Sequence, residues 1–73
     1  MTQKEFLETF NLLQLNYDRA VPDAIIRLWY DKFKNVSKDV FKQSIIDTIE
    51  WDNTFPTMHA VDERVEQNSK RVI

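Results

Sequence analysis

The 73-residue sequence contains no cysteine and no glycine, and it has only two prolines and one histidine. Without cysteine, the chain can form neither a disulfide framework nor a thiolate metal site, so a reducing compartment is permitted. The absence of glycine excludes the glycine-rich loops that cradle phosphates and dinucleotides. Because hairpins and left-handed helix caps commonly use glycine, the connections of this fold must rely on Asn, Asp and Pro.

Long apolar runs and a charge excess of one sign are also missing. No apolar run exceeds three residues, which is far short of a membrane span, and the start MTQKEF lacks the apolar region of a secretion signal. The net charge of −2 and the pI near 5.2 argue against a protein whose main work is neutralising DNA phosphate. We therefore expect a soluble cytoplasmic protein that acts neither in a membrane nor chiefly on nucleic acid.

Apolar residues recur at helical spacing in four segments. Thr2 and Glu5 fit a capping box, Pro22 suits the first turn of a second helix, and Ser37 suits the start of a third. The expected core faces are, in chain order, Phe6, Phe10, Leu13 and Tyr17; Ile25, Leu28, Trp29 and Phe33; Phe41, Ile45, Thr48 and Ile49; and Met58, Val61 and Val65. On the second helix this places Tyr30 away from the core and Ile26 on its flank.

The second proline, in the stretch EWDNTFPTMHAV at 50–61, separates the third helix from the fourth. Pro56 prevents Phe55 from continuing a helix, so Phe55 is expected in an extended corner where it plugs the end of the bundle. Thr57 then caps the next helix. The predicted fold is an all-α compact bundle of three main helices plus a short fourth helix after the Phe-Pro-Thr turn. Residues 1–66 form a single helical domain, and residues 67–73 are expected to be a frayed C-terminal tail.

The residues offer little material for catalysis. His59 is the only histidine, which excludes a histidine-pair metal site, and as a single residue in a helix's first turn it is expected to be solvated. The serines stand in no catalytic motif, and the carboxylates are scattered. We predict no enzyme activity, no catalytic or metal-binding residues and no cofactor.

Binding of DNA by a small helical domain is the alternative class of function. The candidate basic residues are Lys32, Lys34, Lys38, Lys42, Arg64, Lys70 and Arg71. Acidic residues such as Asp31, Asp39, Glu63 and Glu66 interrupt each basic cluster, which is typical of a mixed-charge surface. A DNA-binding regulator stays open, and its signature is duplex binding that weakens steeply with salt.

Protein binding is favoured by an excess of large apolar side chains in the second half of the chain. Tyr30, Ile46 and Trp51 fall off the predicted inner faces, and aromatic residues are common anchors at interfaces. We predict these three residues as partner contacts. The same leftover apolar surface could serve a homodimer, which would also help to stabilise so small a domain.

Four features in this order resemble the phage-encoded replicative helicase loader/inhibitor family. They are Tyr17 before a short turn, RLWYDKF at 27–33, VFKQSI at 40–45 and TFPTMHAV at 54–61. The resemblance covers roughly residues 3–65, and in it Trp29 and the Phe55–Pro56–Thr57 turn are architectural matches. Where that family often has two prolines, this chain has Pro56 followed by Thr57.

The resemblance implies a non-catalytic phage protein in the host bacterial cytoplasm that binds replication machinery. Members of the family engage the ring-shaped replicative helicase, and related small phage proteins block the host's AAA+ helicase-loading ATPase. Family loaders carry a long flexible C-terminal extension that grips the helicase, whereas this sequence ends at Ile73. We therefore expect an inhibitor of helicase loading that acts on the AAA+ loader or on the helicase. A loader domain truncated of its helicase-binding tail is the alternative.

Overall fold

The computed structural model describes residues 1–71 as four helices, with no strand among these residues. The helices are α1 (Gln3–Asn16), α2 (Asp23–Phe33), α3 (Lys38–Trp51) and α4 (Met58–Arg71). Helix α3 is central, because its main helix partners are α1 and α4. The predicted all-α class is confirmed. No helix in this part of the chain is both long and apolar enough to cross a membrane.

The helix starts follow the capping residues in the sequence. Thr2 Oγ1 accepts a hydrogen bond from the Glu5 amide at 3.1 Å, and the Glu5 carboxylate accepts one from the Thr2 amide at 2.8 Å. The bonds from the Thr2 backbone and side chain lower the pKa of the Glu5 carboxyl, because they favour its charged form. At α3, Ser37 Oγ accepts from the Val40 amide at 3.3 Å. Both predicted caps are confirmed.

The turn between α1 and α2 achieves a left-handed cap without glycine. Asp18 has a φ of 48°, a conformation that Asp tolerates better than most residues. Around it, the Asp18 amide donates to the Leu15 carbonyl at 3.3 Å, and the Arg19 amide donates to the Gln14 carbonyl at 2.9 Å. These two bonds form a Schellman motif, which ends α1 and fixes the path of the chain into Arg19.

Phenylalanine rings form the centre of the core. The Phe6 ring lies 5.5 Å from Phe10 and 5.3 Å from Phe41, measured between centroids, and Phe33 lies 5.3 Å from Phe41. All four rings are fully buried. The buried apolar cluster is completed by Leu13, Trp29, Val40, Ile45, Val61 and Val65. Such ring pairs add a preferred geometry to the free energy of apolar burial.

Helix α2 is rotated relative to the predicted core face. Trp29 and Phe33 are buried as expected, but Ile25 and Leu28 are 42% and 54% exposed. Ile26 and Tyr30 pack against the core in their place. Placing Ile25 and Leu28 in the core was therefore wrong. The reason is that the apolar residues of 24–30 almost encircle the helix, so spacing alone cannot decide which side faces inward.

Helix α4 is as long as α1 and α3, and it passes the predicted domain boundary at residue 66. Residues 67–71 continue the helix instead of forming a separate tail, while Val72 and Ile73 lie outside the described residues. Packing explains the difference, because Asn68 is buried against α3. Its Nδ2 donates to Ser44 Oγ at 3.0 Å and to Asp47 Oδ2 at 3.2 Å.

Candidate protein-binding surface

At one end of the bundle, the connection between α3 and α4 is fastened to α1. The Tyr17 hydroxyl donates to the Asp52 carbonyl at 2.8 Å and lies 3.4 Å from the Thr48 carbonyl. Burial raises the pKa of the Tyr17 hydroxyl, and the Asp52 carboxylate raises it further. The same carboxylate pairs with Arg64 of α4 at 3.1 Å. The backbone leading into Phe55 is therefore held from two sides.

Phe55 occupies the corner that the sequence predicted for it. Its half-buried ring meets three others edge-on, with centroid distances of 5.8 Å to Tyr17, 6.3 Å to Trp29 and 6.4 Å to Phe10. The following Pro56 is buried. The prediction that Phe55 plugs the end of the bundle is confirmed, and part of its ring stays accessible.

Arg19 lies over the ring of Phe55. Its guanidinium carbon lies 4.9 Å from the centroid of the Phe55 ring, within the range of a cation–π contact. The Schellman motif sets the start of this loop, and the Val21 amide donates to Gln14 Oε1 at 2.8 Å on the other side of Arg19. Arg19 is consequently positioned by backbone contacts on both flanks.

A groove of about 350 Å³ opens between the α1–α2 connection, the α3–α4 connection and the start of α2. We call it the Phe55 groove. Its apolar wall comprises Val21, Ile25, Trp29, Phe55, Pro56 and Met58. Arg19 is the one charged side chain in the lining, and Thr57 Oγ1 already accepts a hydrogen bond from the Ala60 amide at 3.2 Å. The arrangement suits the burial of apolar side chains beside a single positive charge.

Exposed apolar surface continues from the groove along α2. Ile25 lines the groove, and Leu28 follows it by three residues, which makes the two side chains neighbours on the helix surface. Both are large and substantially exposed. An exposed apolar patch next to a concave apolar wall is typical of an interaction site, whereas isolated exposed apolar residues are common on any protein.

The three residues predicted as partner contacts do not form one surface. Tyr30 is half-buried, and its ring lies 5.4 Å from Phe6 in an edge-on contact, so it faces the core instead of pointing away. Ile46 is half-buried and Trp51 is 75% exposed. Because α3 turns about 100° per residue, Ile46 and Trp51 point about 140° apart around its axis.

Sequence reasoning missed Arg19, Ile25 and Leu28 as surface components. Ile25 and Leu28 were assigned to the core, as the helical spacing suggested. One available signal was the number of large apolar residues between 24 and 30, which exceeds what one face of a helix can bury. No local signal indicated that Arg19 would lie over Phe55, since 36 positions separate them in the sequence.

Groups suited to chemistry do not converge on the groove. His59 is largely exposed on α4, where Nε2 lies 2.9 Å from the Glu63 carboxylate. Across the described part of the chain, no group of three His, Cys, Asp or Glu side chains is arranged to hold a metal ion. The lining of the groove is an apolar wall with one charged side chain, Arg19.

Comparison with protein-family models, curated proteins and solved structures gives no match to this chain. The resemblance to phage helicase loaders and inhibitors consequently depends on the sequence features alone.

Proposed function

We propose that this chain is a protein-binding module that engages its partner through the Phe55 groove and the adjoining exposed side chains of α2. The observation that carries the proposal is the pair Ile25 and Leu28, two large aliphatic residues left exposed beside a concave apolar wall. Burial of such side chains in a partner is a strong driving force for association.

For the partner, we propose the bacterial helicase-loading ATPase of the AAA+ class or the replicative helicase. Support comes from the resemblance to the phage helicase loader/inhibitor family. Two of the segments that carry this resemblance, RLWYDKF and TFPTMHAV, also supply Leu28, Trp29, Phe55, Pro56 and Met58. In this proposal the protein acts in the host bacterial cytoplasm, and the matched residues shape a contact surface as well as the fold.

The proposed mechanism is steric inhibition. By covering a surface that the loader needs for self-association or for holding the helicase, a small domain prevents assembly without any chemical step. A standard interface of about 800 Å² per partner would take roughly a sixth of the 5104 Å² accessible surface, which leaves the core undisturbed. Delivery of the helicase, as by a loader domain whose gripping segment lies elsewhere, would use the same surface.

A binding assay with purified proteins tests this proposal. The wild-type chain is expected to bind the loader or the helicase, and Leu28→Glu should weaken binding about 30-fold or more, since it places a charge in an apolar contact. Leu12→Glu is the matched control, because Leu12 is 37% exposed on α1 and does not line the groove. Calorimetry measures both affinities.

The assay also distinguishes binding through the Phe55 groove from binding through a surface around Trp51. If Trp51→Ala abolishes binding and Leu28→Glu leaves it intact, the groove is not the contact surface. If neither the loader nor the helicase binds the wild-type chain at micromolar concentration, the assignment of the partner is wrong.

A further inference from the structure

We infer that the Phe55 groove receives a segment of the partner protein in which an acidic residue adjoins one or two large apolar side chains. The inference rests on the proposed protein-binding role of this groove and specifies the chemistry of its occupant. The groove combines a positive charge that has no carboxylate partner with a small apolar space beside it.

The positive charge is that of Arg19. The guanidinium carbon of this exposed residue lies 4.9 Å from the centroid of the Phe55 ring, and within the described residues no carboxylate forms an ion pair with it. Its guanidinium hydrogens are therefore available to a carboxylate from outside, which can accept two of them side by side. A cation that rests on an aromatic ring is also held in place, so less side-chain entropy is lost on binding.

The backbone reinforces this polarity. The residues that precede α2 and α4, Pro22 and Thr57, both line the groove, so the positive ends of two helix dipoles lie beside it. The start of α2 has no side-chain cap, and the first turn of α4 contains no acidic residue. Asp23 is the one carboxylate in the first turn of α2, and it does not line the groove.

The surroundings of Trp51, a strongly exposed aromatic side chain, differ in charge. The next residue, Asp52, lines a depression together with Ala60, Glu63, Arg64 and Gln67. Its cation is already engaged, because Arg64 donates to the Asp52 carboxylate at 3.1 Å. Of these two depressions, the Phe55 groove is the one that combines an apolar wall with a cation that has no carboxylate partner.

The apolar part of the occupant follows from the volume of the groove. At about 350 Å³ it lies at the low end of the range for ligand pockets, which leaves room for only a few side-chain groups. The apolar side chains of Ile25 and Met58 in the lining favour Leu, Ile, Phe or Trp. A short segment with one large apolar side chain and one adjacent Asp or Glu can contact both the apolar wall and the Arg19 guanidinium.

Selection from a displayed library of short random peptides on the full chain tests the inference. The enriched peptides are expected to carry Asp or Glu next to a large apolar residue. Chemical-shift changes on peptide binding should centre on Val21, Ile25 and Met58. Enrichment of apolar peptides without acidic residues, or shifts centred on Trp51, would overturn the inference.

A charge reversal gives the decisive comparison. Arg19→Glu should weaken an enriched peptide about three- to tenfold, and the same peptide with its acidic residue replaced by Lys should regain affinity for that variant. Arg27→Glu is the matched control, since it makes the same charge change on an exposed residue outside the groove. Equal losses in the two variants would mean that net charge is responsible, not the groove, and would overturn the inference.

Failure of this inference can be distinguished from failure of the proposed function. If acidic-apolar peptides bind and both replication proteins fail to bind, the occupant chemistry stands and the named partners fall. If the loader or helicase binds with no effect of Arg19→Glu, the protein-binding role stands and this inference falls. Concentration-dependent dimerisation that depends on Ile25 and Leu28 would assign the groove to a second copy of the chain and would contradict it.

Discussion

Helix α3 packs on α1 and on α4 through different kinds of contact. Toward α1, the contact is between rings, with Phe6 5.3 Å from Phe41. Toward α4, it includes hydrogen bonds in which the buried Asn68 joins Ser44 and Asp47. The Ser44 hydroxyl in turn donates to the Val40 carbonyl at 2.7 Å. Stacked rings and an interhelical hydrogen-bond network thus lie beside each other on the buried surface of α3, where Phe41 and Ser44 are about 60° apart around the helix axis. We call the contact with α1 the ring side and the contact with α4 the polar side.

The difference indicates that one kind of contact mainly stabilises this small fold and the other mainly aligns its helices. Ring packing contributes most of the free energy of folding because it removes large apolar areas from water, but it tolerates small shifts between helices. Hydrogen bonds contribute less each, yet they require particular donors and acceptors to meet. The polar side therefore fixes how far α4 lies along α3, and with it the position of Met58 in the Phe55 groove.

The largest expected effect is on the ring side. Phe41→Ala should lower the free energy of unfolding by about 3–5 kcal/mol, because it removes a fully buried ring and leaves a cavity among Phe6 and Phe33. For a domain of this size, that is a large part of the total stability. Urea denaturation followed by circular dichroism measures it, with the exposed Leu12→Ala as the control. A loss below about 1 kcal/mol would refute the assignment of the main stabilisation to the rings.

A smaller effect is expected on the polar side. Asn68→Ala should cost about 1–3 kcal/mol, because two hydrogen bonds to α3 are lost in a buried setting. The neighbouring Gln67 is exposed, so Gln67→Ala should stay within about 0.5 kcal/mol of the wild type. Beyond stability, chemical shifts of Met58 should move in Asn68→Ala only. Unchanged Met58 shifts would contradict the role of Asn68 in alignment.

The smallest effect is expected at Tyr17, which combines both kinds of contact. Tyr17→Phe keeps the ring against Phe55 and removes the hydroxyl that donates to the Asp52 carbonyl, so it should cost about 1 kcal/mol at neutral pH. Thermal unfolding monitored by circular dichroism measures the loss. A cost as large as that of Phe41→Ala would show that the two sides are not separable as described.

The pH dependence of Tyr17 sharpens the same point. Burial raises its pKa above the ordinary value of 10.0, so the folded state retains the hydroxyl proton more strongly than the unfolded state does. The stabilisation is therefore complete below pH 10 and is lost as the pH rises through the raised pKa. Alkaline unfolding curves of the wild type and Tyr17→Phe should converge in that range. Parallel curves would contradict a raised pKa of the Tyr17 hydroxyl in the folded state.

Prediction from sequence succeeded where a single local interaction decides the structure. The caps at Thr2 and Ser37, and the break at Pro56, follow from backbone groups a few residues away. It failed for residues 67–71 because that segment has no apolar periodicity, and Asn68 reads as an exposed polar residue until Ser44 is placed opposite it. Local pattern cannot supply a partner from a distant segment.

Protein binding stays a prediction, and the residues of the candidate surface could not be chosen from the sequence. An excess of large apolar side chains indicated protein binding, but the residues chosen, Tyr30, Ile46 and Trp51, do not lie together. Whether Tyr30 or Leu28 faces the core depends on how α2 is rotated, and Phe6 settles this by meeting the Tyr30 ring at 5.4 Å. The helix has apolar residues on most of its circumference, so both rotations satisfy its own sequence.

By itself, the sequence determined a small glycine-free protein of four helices, with their starts and the extended corner at Phe55, because capping groups and Pro56 act on neighbouring backbone. Tertiary structure alone decided the rotation of α2, the full length of α4 and the meeting of Arg19 with Phe55 at 4.9 Å. The physical reason is that these features join segments far apart in the chain. Their free energy exists only when several helices pack at once, so no window of residues contains it.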